Sequence, residues 1–136
     1  MINGLEDMIG VQPLETRVHF ELNKQISCSI QVANGTDDYF AFSVSRCSLR
    51  PYNIYPSTGI VRPRSNFSII IALQPLKKAP VEEQCKDEFT VQSTRVEECL
   101  EATDITGDIF HEGPGRVVDQ VDFTVVLVVP PLSGDW

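Results

Sequence analysis

The sequence has no long hydrophobic run: its longest near-uniform apolar stretch, Val125 to Val129, is far short of the ~20 residues that a membrane-crossing helix needs. It has no low-complexity tract and no internal repeat. Its first residues, with Glu6 and Asp7 and no basic start, do not read as a secretory leader. No two of the four cysteines (Cys28, Cys47, Cys85 and Cys99) stand at the close C-x-x-C spacing of zinc ligands or redox pairs. They are expected as reduced thiols of a cytosolic protein. Cys28 alternates with Ile26 and Ile30, which reads as a small core residue. Histidine is scarce too. His19 and His111 are far apart, and each has an apolar neighbour. No nucleophile elbow, zincin helix, P-loop or dinucleotide fingerprint occurs. The carboxylate pairs Glu82-Glu83, Asp87-Glu88 and Glu97-Glu98 point opposite ways on an extended chain and read as surface charge. An enzyme is not expected, nor a metal or a cofactor.

Acidic residues are missing from one continuous stretch. Between Tyr39 and Val81 there is no Asp or Glu, while Arg46, Arg50, Arg62, Arg64, Lys77 and Lys78 make the segment +6. The rest of the chain, with 5 basic and 19 acidic residues, is −14, for a net charge of −8. That balance argues against non-specific nucleic-acid binding. A block of one sign is usually a solvated face, and on an acidic protein it can also steer an acidic partner.

What the sequence does have is alternation. Ile26, Cys28, Ile30 and Val32 alternate with polar neighbours and run into an Asn34-Gly35 turn signal. Phe40, Phe42 and Val44 repeat the pattern, as do Phe67, Ile69, Ile71 and Leu73, then Phe89 and Val91. Val121, Phe123, Val125, Leu127 and Val129 make the longest such series. A period of two means one buried and one solvated face, as in antiparallel sheets. Prolines 13, 51, 56, 63, 75 and 80 fall at the ends of the runs, where a missing N–H costs least. Only Thr103 to Phe110, with Thr103 or Asp104 as N-cap and Gly107 as a weak point, suggests helix of one or two turns. A further short turn is expected around Pro80 to Gln84. The two N-x-S/T patterns at Asn34 and Asn66 read as chance matches.

The stretch from Ile9 to Pro131 resembles the major-sperm-protein (MSP) domain, in particular its plant VAP-like branch. The resemblance is carried by IGVQPLETRVHFELNKQISCSIQVANGTDDYFAFSV, then by YPSTGIVRPRS, LQPLKKAP, QCKDEFTVQS, DITGDIF and the closing VVPP. It implies a seven-stranded immunoglobulin-like β-sandwich, all-β, over residues 8–131. Residues 1–7 would be a flank and 132–136 the start of a linker. It also implies an adaptor on the cytosolic face of the endoplasmic reticulum, tied to the membrane only indirectly, through an anchor absent from this chain. Such domains bind FFAT motifs, short linear peptides of other proteins with two phenylalanines in an acidic tract. The resemblance implies no nucleic-acid partner. A second reading is a structural, oligomerising domain that forms a homodimer. A third is a module within a larger plant protein, such as a kinase or an immune receptor.

By family position the peptide site falls on Ser43, Val44, Ser45, Arg46, Cys47, Ile54, Tyr55, Ser57, Glu88, Thr90 and Asp122. Several of these depart from the family's residues. Where relatives carry two lysines and then two threonines, this chain has Ser43 to Cys47. The family's Arg-Pro-Asn is Tyr55-Pro56-Ser57, a lysine is replaced by Glu88, an apolar residue by Thr90, and a basic position by Asp122. The expectation is a retained scaffold with a less basic ligand site, in which Arg46 and Arg50 offset part of the loss.

Overall fold

The computed structural model describes residues 9–48, 50–81, 84–97, 107–110 and 117–129. Within these, nine strands form two packed sheets. In chain order they are β1 (Ile9–Gln12), β2 (Glu15–His19), β3 (Ile26–Asn34), β4 (Tyr39–Arg46), β5 (Tyr52–Tyr55), β6 (Thr58–Val61), β7 (Ser65–Leu73), β8 (Gln84–Val96) and β9 (Val118–Val128). Sheet A has the order β1-β3-β7-β5, and sheet B the order β2-β9-β8-β4-β6. All pairings are antiparallel except β2 with β9, which is parallel.

The expected sandwich is therefore present, and the strand count rises from seven to nine for a definable reason. Two extended runs cross from one sheet to the other at a proline. β1 lies in sheet A and β2 in sheet B, with Pro13 between them; β5 lies in sheet A and β6 in sheet B, with Pro56 between them. Proline cannot donate to a ladder, so pairing stops there and resumes in the opposite sheet. Both X–Pro bonds are cis. Among the described residues helix is limited to one 3₁₀ turn, Gly107–Phe110, at the end of the stretch expected to be helical; its N-cap candidates, Thr103 and Asp104, lie outside the described residues. Around the expected turn at Pro80 to Gln84, Pro80 and Val81 carry no helix and Gln84 already begins β8.

The inward residues are those marked by alternation. Ile30, Val32, Phe42, Ile69, Ile71, Leu73, Phe89, Val91, Phe123, Val125 and Leu127 are all buried, and Cys28 packs against them. Aromatic rings join the sheets: Phe89 stacks on Phe123 with centroids 5.0 Å apart, and Tyr52 of sheet A meets Phe89 of sheet B edge-on at 5.1 Å. Apolar burial of this kind stabilises by roughly 25 cal/mol per Å² of surface removed from water.

The Asn-Gly-Thr-Asp segment after β3 has a structural task. Asn34 is buried, and its Nδ2 donates to the carbonyls of Asp38 (2.7 Å), Arg62 (3.0 Å) and Val61 (3.2 Å). Its Oδ1 accepts from the Thr36 amide (3.0 Å) and hydroxyl (2.7 Å). One side chain thus ties the β3–β4 connection to the end of β6, and a side chain so enclosed is no acceptor for a glycan. The reading of this N-x-T pattern as a chance match fits that geometry.

Two substitutions test this framework by chemical denaturation. Asn34→Ala removes the partner of several buried polar groups and is expected to cost about 2–4 kcal/mol, since each orphaned group costs about 1–3 kcal/mol. At Gly59, an added Cβ would lie 2.7 Å from Cε2 and 2.8 Å from Cζ of the buried Phe42 ring. Gly59→Ala is expected to cost about 1–3 kcal/mol by overpacking. An unchanged denaturation midpoint for either variant contradicts this account of the packing.

Candidate functional site

Alternation that turns one side of β4, β8 and β9 into the core turns the other side outward. On sheet B this outer face is organised in rows by the ladder register. Ser45 pairs with Thr90, and Thr90 with Asp122. The next row runs Thr58, Ser43, Gln92, Gln120. On the other side of the first row lie Glu88, Thr124 and Glu15. Thr90 Oγ1 donates to Asp122 Oδ1 at 2.8 Å. The face is hydroxyl- and amide-rich, with Glu15, Glu88 and Asp122 as its carboxylates. Arg17 is paired with Glu15 at 3.3 Å.

One end of this face opens into a cleft lined by Cys47, Ser48, Arg50, Pro51, Lys86, Asp87 and Glu88. Its floor is a buried carboxylate. Asp87 was expected as surface charge, yet it is only 2% exposed. It sits in phase with Cys85, Phe89 and Val91 on the inward side of β8, so the alternation itself puts it there. Its Oδ1 accepts from Ser48 Oγ at 2.8 Å and from the Arg50 guanidinium, and its Oδ2 accepts from the Tyr52 hydroxyl. A carboxylate taken out of water is tolerable only when paired and hydrogen-bonded in this way. Burial, and next the bond to Asp87, push the Tyr52 phenol far above its ordinary range.

The residues singled out by family position divide into groups. Ser43, Ser45, Thr90 and Asp122 come together on the outer face of sheet B, with Glu88 beside them. Cys47 is exposed on the cleft, and its amide donates to the Glu88 carbonyl at 2.9 Å. Ser57 lies at the β5–β6 crossover, where its carbonyl accepts from the Val44 amide at 2.8 Å. Val44 is buried in the core beneath sheet B, while Ile54, on β5 of sheet A, packs against the core from the other sheet. Tyr55 stands apart, because β5 belongs to sheet A: its side chain is 75% exposed and pairs in register with Ile70 on the opposite side of the sandwich.

The two arginines expected to offset the lost lysines are engaged elsewhere. Arg46 Nη1 donates to the carbonyl of Tyr52, and Arg50 is the ion-pair partner of Asp87. Both hold the β4–β5 connection in place; the charge of Arg50 is answered by Asp87, while Arg46, exposed and bonded to a neutral carbonyl, keeps its charge. Lys86 is the exposed cation that remains on the cleft. Among the described residues no group of three or more His, Cys, Asp or Glu could hold a metal ion.

The MSP (Major sperm protein) domain model matches residues 8–115. The chain is 36% identical over 125 residues to vesicle-associated protein 1-2 of Arabidopsis thaliana, covering 92% of this chain and 52% of that protein. It is 37% identical over 123 residues to vesicle-associated protein 1-1 of the same plant, covering 90% of this chain and 48% of that protein. The chain thus spans about half the length of these relatives. Among solved structures, WR4, a C. elegans MSP family member, superposes with a TM-score of 0.61 at 18% identity, covering 90% of this chain and 98% of that one; that likeness bears on the fold.

The Asp87 cluster generates a prediction with a defined sign. Tyr52→Phe leaves one carboxylate oxygen without its donor and is expected to cost about 1–3 kcal/mol at neutral pH. A phenol whose folded pKa lies above its unfolded value adds stability that is complete below the unfolded value of about 10 and is lost as pH rises towards the folded one. Stability should therefore fall above about pH 10 in the parent chain, and less steeply in Tyr52→Phe. Urea denaturation at neutral and alkaline pH measures both; equal slopes for the two proteins contradict the role given to this phenol.

Proposed function

The chain belongs to the MSP (major sperm protein) domain family, homologous to the plant vesicle-associated proteins, and from that premise we propose that it is an adaptor that binds a short linear peptide on the outer face of sheet B. The family is one of non-enzymatic binding domains. The observation that carries the reading is the convergence of Ser43, Ser45, Thr90 and Asp122 on one exposed surface, beside the cleft of Cys47, Arg50, Lys86 and Glu88. Val44 supports that surface from within. In vesicle-associated relatives the adaptor would act on the cytosolic face of the endoplasmic reticulum; no helix among the described residues here is long and apolar enough to cross a membrane.

The chemistry of the face also selects the ligand. An acidic FFAT tract laid across β4, β8 and β9 meets Glu88 and Asp122, with Glu15 close by. Like charges across an interface cost up to several kcal/mol when desolvated and less at a wet rim. Arg50 supplies little in return, because its charge is met by Asp87, and Arg46, though exposed and charged, is tethered to the Tyr52 carbonyl. The peptide that fits is less acidic, held by hydrogen bonds to Ser43, Ser45, Thr90 and Gln92.

Titration with matched peptides, one with the acidic flank and one with that flank neutralised, tests the proposal. The neutral peptide is expected to bind more tightly. In the double variant Glu88→Lys/Asp122→Lys the order should reverse, with a gain of about 10- to 100-fold for the acidic peptide, at about 1 kcal/mol or more per reversed charge. That gain should shrink as salt rises. If neither peptide perturbs the spectra of residues on β4, β8 and β9, the assigned face is wrong.

A further inference from the structure

Each sheet ends in strands whose outer main-chain groups have no ladder to join, and such an edge is a template for a further strand. Three of these edges are short. β1, β5 and β6 have four residues each, so alternation turns the groups of only two outward. On β5 these are partly answered: the Tyr52 amide donates to the Arg50 carbonyl at 2.9 Å, and the Tyr52 carbonyl receives Arg46. The β2 edge of sheet B differs. β2 bonds to β9 through Thr16 and Val18, a pattern continued by the Leu14 carbonyl and the Phe20 amide. The amides and carbonyls of Glu15, Arg17 and His19 therefore all point away from β9, and among the described residues they meet no partner. The same strand holds an unanswered side-chain atom. Thr16 Oγ1, on the inward side with its register partner Val125, is enclosed and makes no hydrogen bond.

We propose that β2 takes up an extended segment of another protein as an additional, antiparallel strand of sheet B. Main-chain bonds from Glu15, Arg17 and His19 hold such a strand, and side chains select it. In this pairing the three free residues form the hydrogen-bonded pairs, while Thr16 and Val18 fall in the pairs whose side chains approach more closely. Opposite Thr16 a serine or threonine brings the hydroxyl that Oγ1 lacks. Opposite Val18, which packs against the core, an apolar residue completes the burial. On the outward side Glu15 selects a basic residue and Arg17 an acidic one, since unlike charges directly across a pair stabilise and like charges do not. In the direction of the added strand the order is apolar, acidic, hydroxyl, basic. A second copy of the chain is a poorer occupant, because it brings another body of net charge −8 edge to edge. A short segment brings only the charges that match. The site adjoins the face assigned above but uses the main chain of β2, so it does not rest on that assignment.

The probe is a capped peptide, Thr-Val-Glu-Ser-Lys, titrated into the chain and read by amide hydrogen exchange in NMR. Binding at about 0.1–1 mM is expected of so short a strand. The amides of Glu15, Arg17 and His19 should gain protection, while those of Thr16 and Val18, already bonded to β9, should not change. Methylating the probe's glutamate nitrogen, which faces β2, is expected to weaken binding at least tenfold. Methylating its valine nitrogen, which faces away, should change it less than about threefold. Exchanging the probe's glutamate and lysine should weaken it about three- to tenfold. Arg17→Pro removes one outward donor and leaves the β9 ladder whole, a place where an edge strand tolerates proline; it should weaken binding at least fivefold, with circular dichroism as the check on folding. No protection of the three amides at about 5 mM probe, or equal effects of the two methylations, overturns the proposal. So does protection that rises with the concentration of the chain alone, which would make the occupant a second copy. The sheet B face is scored on β4 and β8, so either reading can fail without the other.

Discussion

The buried carboxylate of Asp87 is the constraint on which this end of the sandwich depends. Enclosed on the inward side of β8, it needs donors, and it draws them from a connection distant in sequence: Ser48, Arg50 and Tyr52. Meeting that need fixes where the chain leaves β4 and where β5 begins. Tyr52 then serves three ends at once. Its ring packs edge-on against Phe89, its hydroxyl meets Asp87, and its carbonyl receives Arg46. The core, the charge cluster and the border of the binding face are coupled through this one residue.

That coupling explains why counting arginines misleads about the charge of a folded surface. Arg46 and Arg50 lie in the stretch free of acidic residues, and as sequence they look available to an acidic partner. Folded, Arg50 faces Asp87, which enters from outside that stretch, and Arg46 faces a carbonyl. Segment charge and surface charge are thus different quantities. A block that is +6 in the sequence does not become an equally basic face when Arg50 is paired with the buried Asp87. The exposed rows of sheet B carry the charges of β2, β8 and β9 instead: Glu15, Glu88 and Asp122 beside Arg17 and Lys86.

The fold was legible in the sequence because its signal is periodic. Alternation named the buried members of β3, β4, β7, β8 and β9, and the Asn34-Gly35 turn fell where β3 ends. The switching of sheets at Pro13 and Pro56 was not legible: each proline marked the end of a run, but which sheet the next run joins depends on non-local pairing. At the candidate site, family position named Ser43, Ser45, Glu88, Thr90 and Asp122, which the register gathers on one surface. It also included Tyr55, which β5 carries to the other sheet. Asp87 was misread as surface charge because its pairing with Glu88 drew notice, whereas its phase with Cys85, Phe89 and Val91 gave the answer. Polar identity and alternation conflicted there, and a cluster of donors from elsewhere in the chain decided for alternation.

The two outer faces divide the chemistry between them. Sheet B shows hydroxyls beside carboxylates on a surface braced by the Asp87 cluster, while sheet A shows a charge-free surface centred on Tyr55 and Ile70. A sandwich permits this division because outward side chains of the two sheets are separated by both sheets and the core between them, roughly 10 Å from sheet to sheet. Substitutions on the outer face of sheet B leave the outer face of sheet A untouched, and the reverse holds for Tyr55, which β5 places on the far sheet. The departures from the family's pattern thus fall on two separate surfaces.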